Sequence, residues 1–554
     1  MQCVFCCPVS VPPAPAGRPG QKQCCKLQVA SCKLQTKQPD ATSGRRAGIP
    51  RNWNRQMMIM IDDDDNRWQF AGHHEAQHTM NPSYGSVTDL ESADLFSDTT
   101  KQSTTLLNET KIILKSSLPL AITFFLQYSL SVVSIFTVSR IGKVELAAVS
   151  LATMTFNITS SIFTGMSTSL ETLCSQAYGA KNFKLVGLYY QRCFTIILIF
   201  NLPLILIWWY SGFFLKFIVI DENLAILAQS YLRIMIFSTP AYIFFETTKR
   251  FLQSQNIFVA GQYVLFIVSP INIILNYLLV WNKYIGLGFI GAPLATTISY
   301  WIGALLLLSY IYFIKGNECW YGFNLKQCFQ NWSSILPLAL NGTAMLLSEF
   351  IAFEILTLSS AKFGTSTLAA QSIASTLATL SFQIPFSVSV ATSTRIANLL
   401  GANLKLNSII SKNASYLISL FLSILNFSLL FFTKNFIIKL FTNDIKVINL
   451  SIKILKILSI NQLYDCPNII GAGILRAQGR QEIGSKLNLL CYYIIAIPLA
   501  LYLGFNCNLK VTGLWIGLGI GVFCLSISEF VMILRSDWDS IIENANDRSR
   551  IDIN

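Results

Sequence analysis

Long apolar stretches separated by short polar segments recur along this chain from about Ile112 onward. A helix needs roughly 20 apolar residues to cross the hydrocarbon core of a bilayer. The pattern supplies twelve such stretches, at residues 112–138, 145–173, 186–210, 224–248, 257–281, 290–314, 334–361, 367–397, 413–433, 447–475, 485–505 and 511–535. It therefore predicts an all-α integral membrane protein with twelve transmembrane helices.

An internal repeat divides these stretches into two sets of six. LAAVSLA at 146–152 recurs as LAAQSIA at 368–374, an offset of 222, and the Gly-Ala pair at 179–180 recurs at 401–402 with the same offset. Because six helices intervene, both halves have the same orientation in the membrane. The repeat predicts two pseudo-symmetric six-helix lobes related by an axis along the membrane normal, with a V-shaped central cleft that rocking of the lobes would open to alternate sides.

Residues 1–105 lack the apolar periodicity and predict a disordered cytosolic tail without a signal peptide. We expect reduced thiols at the six cysteines of this tail, which are Cys3, Cys6, Cys7, Cys24, Cys25 and Cys32. Palmitoylation of the first three is the alternative. A metal site is the alternative to a plain polar segment at its three histidines, His73, His74 and His78. The rest divides into a first lobe (106–315), a cytosolic linker (316–332), a second lobe (333–536) and a cytosolic C-terminal tail (537–554).

Composition and charge narrow the function class. The chain is 53% hydrophobic and 12% charged, which excludes a soluble globular protein. Its net charge of +13 comes from short basic loops, which fits cytosolic termini and anionic lipids rather than nucleic acid. No Walker motif, dinucleotide fingerprint or nucleophile elbow occurs in a usable context. We therefore expect neither an enzyme nor a cofactor, but a carrier driven by an ion gradient.

Three acids lie within predicted membrane helices: Glu349 and Glu354 in the seventh and Asp465 in the tenth. Placing a carboxylate in lipid costs about 2.5–3.5 kcal/mol at a helix centre, so such acids are candidates for function. We predict that they couple transport to protons or cations, with structural hydrogen bonding as the alternative. Glu349 and Glu354 are about 140° apart around a helix. One is therefore expected to face its lobe's interior and the other the cleft or a neighbouring helix.

Further polar residues lie within or at the ends of the predicted helices, and two of them have two interpretations each. Gln127 and Asn157 in the first two helices would bind substrate in the cleft or hold helices together. Glu171 and Arg395 are expected to be solvated charges that fix a turn, and Glu246 with Lys249 and Arg250 to be an interfacial cluster. The helix-end motif comprises Glu171, Gln176, Gly179, Ala180, Arg395, Gly401, Arg476 and Gly479.

Four segments resemble the multidrug and toxic compound extrusion (MATE) family, in its eukaryotic, fungal-type branch. They are LAAVSLATMTFN…TSLETLCSQAYGAKN (146–182), ILRAQGRQEIGSKLNLLCYYIIAIPLALYLGF (474–505), RFLQSQN (250–256) and SRIGKVELAA (139–148). The resemblance extends over roughly 112–535. In the eukaryotic branch it implies cation-linked acids at the positions of Glu349, Glu354 and Asp465, and polar cleft residues at Gln127 and Asn157. No acid occurs between Lys111 and Glu145, where many bacterial members carry one, so coupling is expected in the second lobe.

The resemblance implies a secondary antiporter that exports small organic compounds, often cationic or amphipathic, in exchange for protons. A sodium-coupled exporter and a flippase for lipid-linked substrates are the alternatives within the same superfamily. A membrane-embedded enzyme would need clustered His, Asp or Cys side chains at one depth, and a receptor or scaffold leaves the repeat unexplained. We expect a monomer in the plasma or vacuolar membrane.

Overall fold

The computed structural model describes residues 103–216 and 222–553, and every element in these ranges is helical. Twelve long helices cover the twelve predicted stretches. They are α1 Leu106–Val138, α2 Lys143–Gly179, α3 Phe183–Trp209, α4 Glu222–Ser254, α5 Ala260–Trp281, α6 Gly291–Phe313, α7 Leu336–Ala361, α8 Thr365–Gly401, α9 Lys405–Phe441, α10 Ile445–Ala477, α11 Gln481–Asn506 and α12 Lys510–Leu534. A thirteenth helix, α13, runs from Trp538 to Ile553. The predicted all-α, twelve-helix architecture is confirmed, whereas the predictions for residues 1–102 lie outside the described ranges.

Eleven of the twelve long helices are apolar enough to cross a membrane by length and composition. The helix outside that set is α10, which is 33 residues long but carries five charged side chains: Lys446, Lys453, Lys456, Asp465 and Arg476. On the outer surface, long apolar side chains such as Leu206, Phe266 and Phe421 are exposed on α3, α5 and α9. An apolar exterior of this kind is what lipid requires.

The repeat is visible in the helix bounds themselves. Helices α2 and α8 have 37 residues each, and both their first and their last residues differ by 222 in number. The turns that follow them also match, because Lys181 and Asn403 both adopt left-handed backbone angles, φ 58° and 59°. A residue in this conformation commonly ends a helix. The two halves are thus built from the same local signals in the same order.

The lobes meet along one half of their helices, towards the ends that carry residues 106 and 534. Helix α1 of the first lobe packs against α8 and α9, and α7 of the second lobe packs against α2. Residues of α1 such as Ile113 and Leu120 share an apolar core with α8, α10 and α12, whereas most of the remaining core residues form two clusters that each lie mainly within one lobe. The lobes are therefore joined at the end of the molecule that carries the described termini, which is the predicted cytosolic end.

Two segments that the sequence predicts to be cytosolic, the linker and the residues after α12, are also ordered. In the linker between α6 and α7, the carbonyl of Gly322 accepts a hydrogen bond from Gln191 of α3 (2.8 Å), and the amide of Asn324 donates one to the same side chain (3.1 Å). These two bonds fasten the linker to the first lobe. Helix α13 buries Trp538, Ile541 and Ala545, three residues on one face, against the lobes. The predicted C-terminal tail thus contains an amphipathic helix that packs on the cytosolic face.

Candidate transport site and cytosolic gate

A cavity of about 470 Å³ lies between the lobes near the middle of the membrane. Its volume falls in the range of small-molecule binding sites. On α2 it is lined by residues between 154 and 164, whereas most of the following residues, from 165 to 177, are buried. Asn157 and Phe350 are exposed in its walls. The cavity is therefore closed towards the cytosolic end and accessible from the other side.

All three predicted acids and both predicted cleft amides line this cavity: Glu349, Glu354, Asp465, Gln127 and Asn157. Glu349 and Glu354 both line the cavity, which also reaches second-lobe residues such as Asp465 and Trp515. That one of them faces the lobe's interior and the other the cleft or a neighbouring helix stays a prediction. One carboxyl oxygen of Glu354, Oε1, is buried and has no hydrogen-bond partner among the described residues.

Gln127, Glu246 and Lys249 form a polar triad on the first-lobe wall, and the prediction for Glu246 and Lys249 is wrong. Gln127 donates to Glu246 at 2.8 Å, and the Lys249 ammonium contacts Glu246 at 2.8 Å and Gln127 at 3.2 Å. Glu246 and Lys249 are 2% and 3% exposed, so the predicted interfacial cluster is in fact buried. The charges are tolerated there because they neutralise one another. The signal in the sequence was the i, i+3 spacing of an acid and a lysine within an apolar helix.

Aromatic rings and carboxyl groups dominate the cavity. Ten of its lining residues are aromatic: Phe124, Tyr128, Phe156, Tyr242, Tyr300, Phe350, Phe353, Phe382, Phe386 and Trp515. Its ionisable acids and amines are Glu246, Glu349, Glu354 and Asp465 against Lys249, which gives a charge of −3 when all five are ionised. Aromatic faces and carboxylates both attract organic cations. The cavity is suited to a flat or amphipathic cation.

Below the cavity, a buried ion cluster joins the lobes. Glu171 of α2 pairs with Arg250 of α4 and, at 3.1 Å, with Arg476 of α10 in the other lobe. The guanidinium groups also donate to the repeat-related serines, Arg250 to Ser167 (2.7 Å) and Arg476 to Ser389 (3.0 Å). Glu171 is 2% exposed, so its expected role as a solvated turn residue is wrong. The Glu171 side chain is buried because the ends of α2, α8 and α10 on this side of the molecule pack against one another.

A second ion pair between the lobes corrects the expectation for Arg395. Its guanidinium donates twice to the carboxylate of Glu109, from Nε at 2.9 Å and from Nη2 at 2.6 Å. Glu109, in the first turn of α1, is fully buried. Such a two-point pair is geometrically specific and stronger than a neutral hydrogen bond. Arg395 therefore anchors α1 to the second lobe rather than fixing a solvated turn.

The glycines of the helix-end motif allow the helices themselves to touch. A Cβ atom on Gly179 would collide with the carbonyl oxygen of Asn398, and one on Gly401 with that of Gln176. These two contacts exchange under the 222-residue repeat, so the pseudo-two-fold axis passes between them. Ala180 caps α2 just beyond this contact. The motif marks a point of close approach between the lobes.

Glu529 on α12 was missed by the sequence-based predictions. Its side chain is 1% exposed, and neither carboxyl oxygen has a hydrogen-bond partner among the described residues. It lies against Gly471 of α10, where a Cβ atom would be 2.8 Å from Oε2. An unpaired buried carboxyl group is costly unless it is protonated. The signal was a single acid within an otherwise apolar stretch, the criterion that identified Asp465.

Comparison with known proteins agrees with this architecture. The MatE family model matches residues 119–278 and 343–502, one segment in each lobe. The chain is 42% identical over 480 residues to the "Uncharacterized transporter YDR338C" of Saccharomyces cerevisiae, covering 84% of this chain and 69% of that protein. It is 31% identical to human "Multidrug and toxin extrusion protein 1" over 429 residues, 77% of this chain and 75% of that protein.

Among solved structures, the crystal structure of the eukaryotic MATE transporter AtDTX14 superposes with a TM-score of 0.76 at 26% identity. The match covers 80% of this chain and 99% of that one. The family model spans more than half of the chain, and the relatives named above are transporters from two kingdoms. The chain is therefore an integral, multi-pass membrane protein that belongs to the MATE family of multidrug and toxin extrusion transporters.

Proposed function

We propose that this transporter exports small organic cations in exchange for protons by alternating access. The observation that carries the proposal is the central cavity, in which Glu349, Glu354 and Asp465 line the second-lobe wall and ten aromatic side chains come from both lobes. A proton and an organic cation would compete for the same carboxylates. Acid on the outer side neutralises them and releases the cargo, and deprotonation towards the cytosol restores the negative charge that binds the next molecule.

The cavity's polarity favours this function over a flippase for lipid-linked substrates. Anionic lipid-linked groups would require a basic cavity, whereas four acids and one lysine line this one. The driving ion, the cargo and the membrane are parts of the proposal: protons rather than sodium, small organic cations, and the plasma or vacuolar membrane. A monomer is sufficient because one chain supplies both lobes.

Purified transporter in vesicles with an acidic lumen is expected to take up a fluorescent organic cation as protons leave. Glu349→Gln and Asp465→Asn should reduce this gradient-driven uptake at least about tenfold, since each removes a proton-binding carboxyl group. Glu482→Gln is a matched control, because that acid is exposed on the surface and pairs with Lys486. Exchange of labelled for unlabelled cation without a gradient measures cation binding and lobe movement together, independently of proton coupling.

If both variants transport as well as the parent at every pH, these acids do not couple protons. Uptake that does not depend on the proton gradient and follows a sodium gradient instead would assign sodium as the driving ion. Loss of gradient-driven uptake is the expected pattern, with exchange weakened but retained, because each variant keeps two of the three carboxyl groups that would bind the cation.

The polar triad offers a test of cargo charge. Lys249→Met leaves Glu246 unneutralised and should bind a cationic probe more tightly, by roughly 1 kcal/mol or about fivefold. Glu246→Gln leaves the lysine unneutralised and should weaken binding by a similar factor. Competition against a fluorescent cation measures both. Opposite shifts are the expected result, and shifts of the same sign would show that the triad affects folding rather than cargo charge.

A further inference from the structure

A second cavity lies on the cytosolic face, apart from the transport site. It has a volume of about 480 Å³ and is bounded by the α10–α11 turn, the end of α12 and helix α13. Its lining consists of Gln478, Gly479, Arg480, Arg535, Asp537, Ser540, Ile541, Asn544 and Arg548. None of these residues contributes to the central cavity. Its role is therefore separate from binding of the transported cargo.

The charge of this cavity is positive. Three guanidinium groups and one carboxylate, that of Asp537, line the cavity. The Asp537 carboxylate also accepts a hydrogen bond from the backbone amide of Asp539 at the start of α13. Arg480 is held in place by Ser536, to which it donates at 2.6 Å. Arg535 has no ion pair within residues 103–216 and 222–553. The arginines thus carry more charge than the described residues neutralise.

Arg548 reaches into the cavity from α13. Its guanidinium lies against Gly479, whose φ of +70° and missing side chain leave the space it occupies. It donates to Gln176 of α2 at 3.2 Å, while its Nε is buried and without a hydrogen-bond partner among the described residues. Burial lowers the pKa of this guanidinium, because the charged form is poorly solvated. A buried cation with a free donor is expected to bind an anion.

The cavity is also next to lipid. Arg535 directly follows Leu534, the last residue of α12, and the side chains of Leu534 and Phe530 are 56% and 42% exposed on the lipid-facing surface. Basic pockets beside transmembrane helices on the cytosolic side bind phosphorylated headgroups. Ser540 and Asn544 add neutral donors to the three guanidinium groups. The combination matches phosphate oxygens better than a carboxylate, which has fewer acceptor sites.

We propose that this cavity, formed by Arg480, Arg535 and Arg548, binds a phosphorylated anion at the cytosolic membrane surface. Its position beside lipid favours the headgroup of a phosphorylated inositol lipid, and a soluble inositol phosphate has the same chemistry. The occupant would connect α12 and the α10–α11 turn to α13. Because Arg548 also contacts Gln176 of the first lobe, a bound anion would stabilise the closed cytosolic face.

The test is binding of the full-length transporter to two probes. One is a vesicle of phosphatidylcholine containing a bis-phosphorylated phosphatidylinositol, compared with phosphatidylcholine alone. The other is soluble inositol hexakisphosphate, followed by the thermal shift of the detergent-solubilised protein. We expect preferential binding to the phosphorylated vesicle that weakens as salt is raised. Binding of the soluble probe as well supports the phosphate chemistry, and binding of the vesicle alone assigns the lipid as its source.

Arg535→Gln and Arg480→Gln should each weaken binding of the phosphorylated probe roughly fivefold, the effect of one cation near an anionic surface. Arg550→Gln is the matched control, because Arg550 is an exposed arginine of α13 that does not line the cavity and pairs with Asp547. Arg535 is exposed and unpaired among the described residues, so its variant should fold as the parent does, with an unchanged melting temperature. The proposal is overturned if neither probe binds, if neutral vesicles bind equally, or if Arg550→Gln weakens binding as much as Arg535→Gln.

Discussion

Replacing Glu171 by glutamine is expected to destabilise the form with the cytosolic face closed by about 3–5 kcal/mol, the cost of breaking a buried ion pair from one side. Glu171 is the carboxylate between Arg250 and Arg476, and all three side chains are nearly inaccessible to solvent. Its removal leaves two cations close together without that anion. Since one of them belongs to each lobe, repulsion between them would separate the lobes at the cytosolic end.

The measurement combines thermal unfolding in detergent with alkylation of a cysteine placed at Thr172, a residue buried between the lobes that donates to the Arg476 carbonyl. In the Glu171→Gln variant we expect a lower melting temperature and much faster alkylation. Glu482→Gln, which loses only a surface pair with Lys486, should match the parent in both. Unchanged alkylation in the Glu171 variant would show that the cluster does not hold the gate closed.

Gly401→Ala is the second change with a large expected effect, although it adds a single methyl group. The new Cβ would collide with the backbone carbonyl of Gln176 in α2, and a backbone atom in a packed helix cannot move aside. Overpacking of this kind typically costs about 1–3 kcal/mol. Because the collision exists only when the lobes are together, it should disfavour the closed cytosolic face and reduce transport by about fivefold or more.

Gly303→Ala in α6 is the control for this change. A Cβ atom there would have its nearest neighbours at 3.7 Å, an ordinary contact, so the variant should transport like the parent and gain slightly in stability. Both variants replace a helical glycine by alanine, and the gain in helix propensity that this brings in a helix interior would not account for lost transport. Equal transport by the two variants would contradict the proposed close approach at Gly401.

The sequence by itself determined the class of structure. Apolar length predicted all twelve long helices, because a bilayer fixes the number of residues needed to span it. The 222-residue offset predicted two parallel halves, and the structure repeats it in the bounds of α2 and α8. The same reasoning identified Glu349, Glu354 and Asp465 as residues of interest, since an acid within an apolar stretch is costly wherever it lies. All three line the central cavity.

Only the tertiary structure decided which charges are paired and which face the cavity. Glu171, Arg395 and Lys249 lie near helix ends or beside polar neighbours, where a sequence cannot distinguish a solvated charge from a buried one. Burial depends on whether another helix covers the position, and the partners Arg476, Glu109 and Gln127 are more than 100 residues away in the chain. Sequence periodicity reports which residues prefer lipid or water, whereas packing between lobes determines which of the remaining charges neutralise each other.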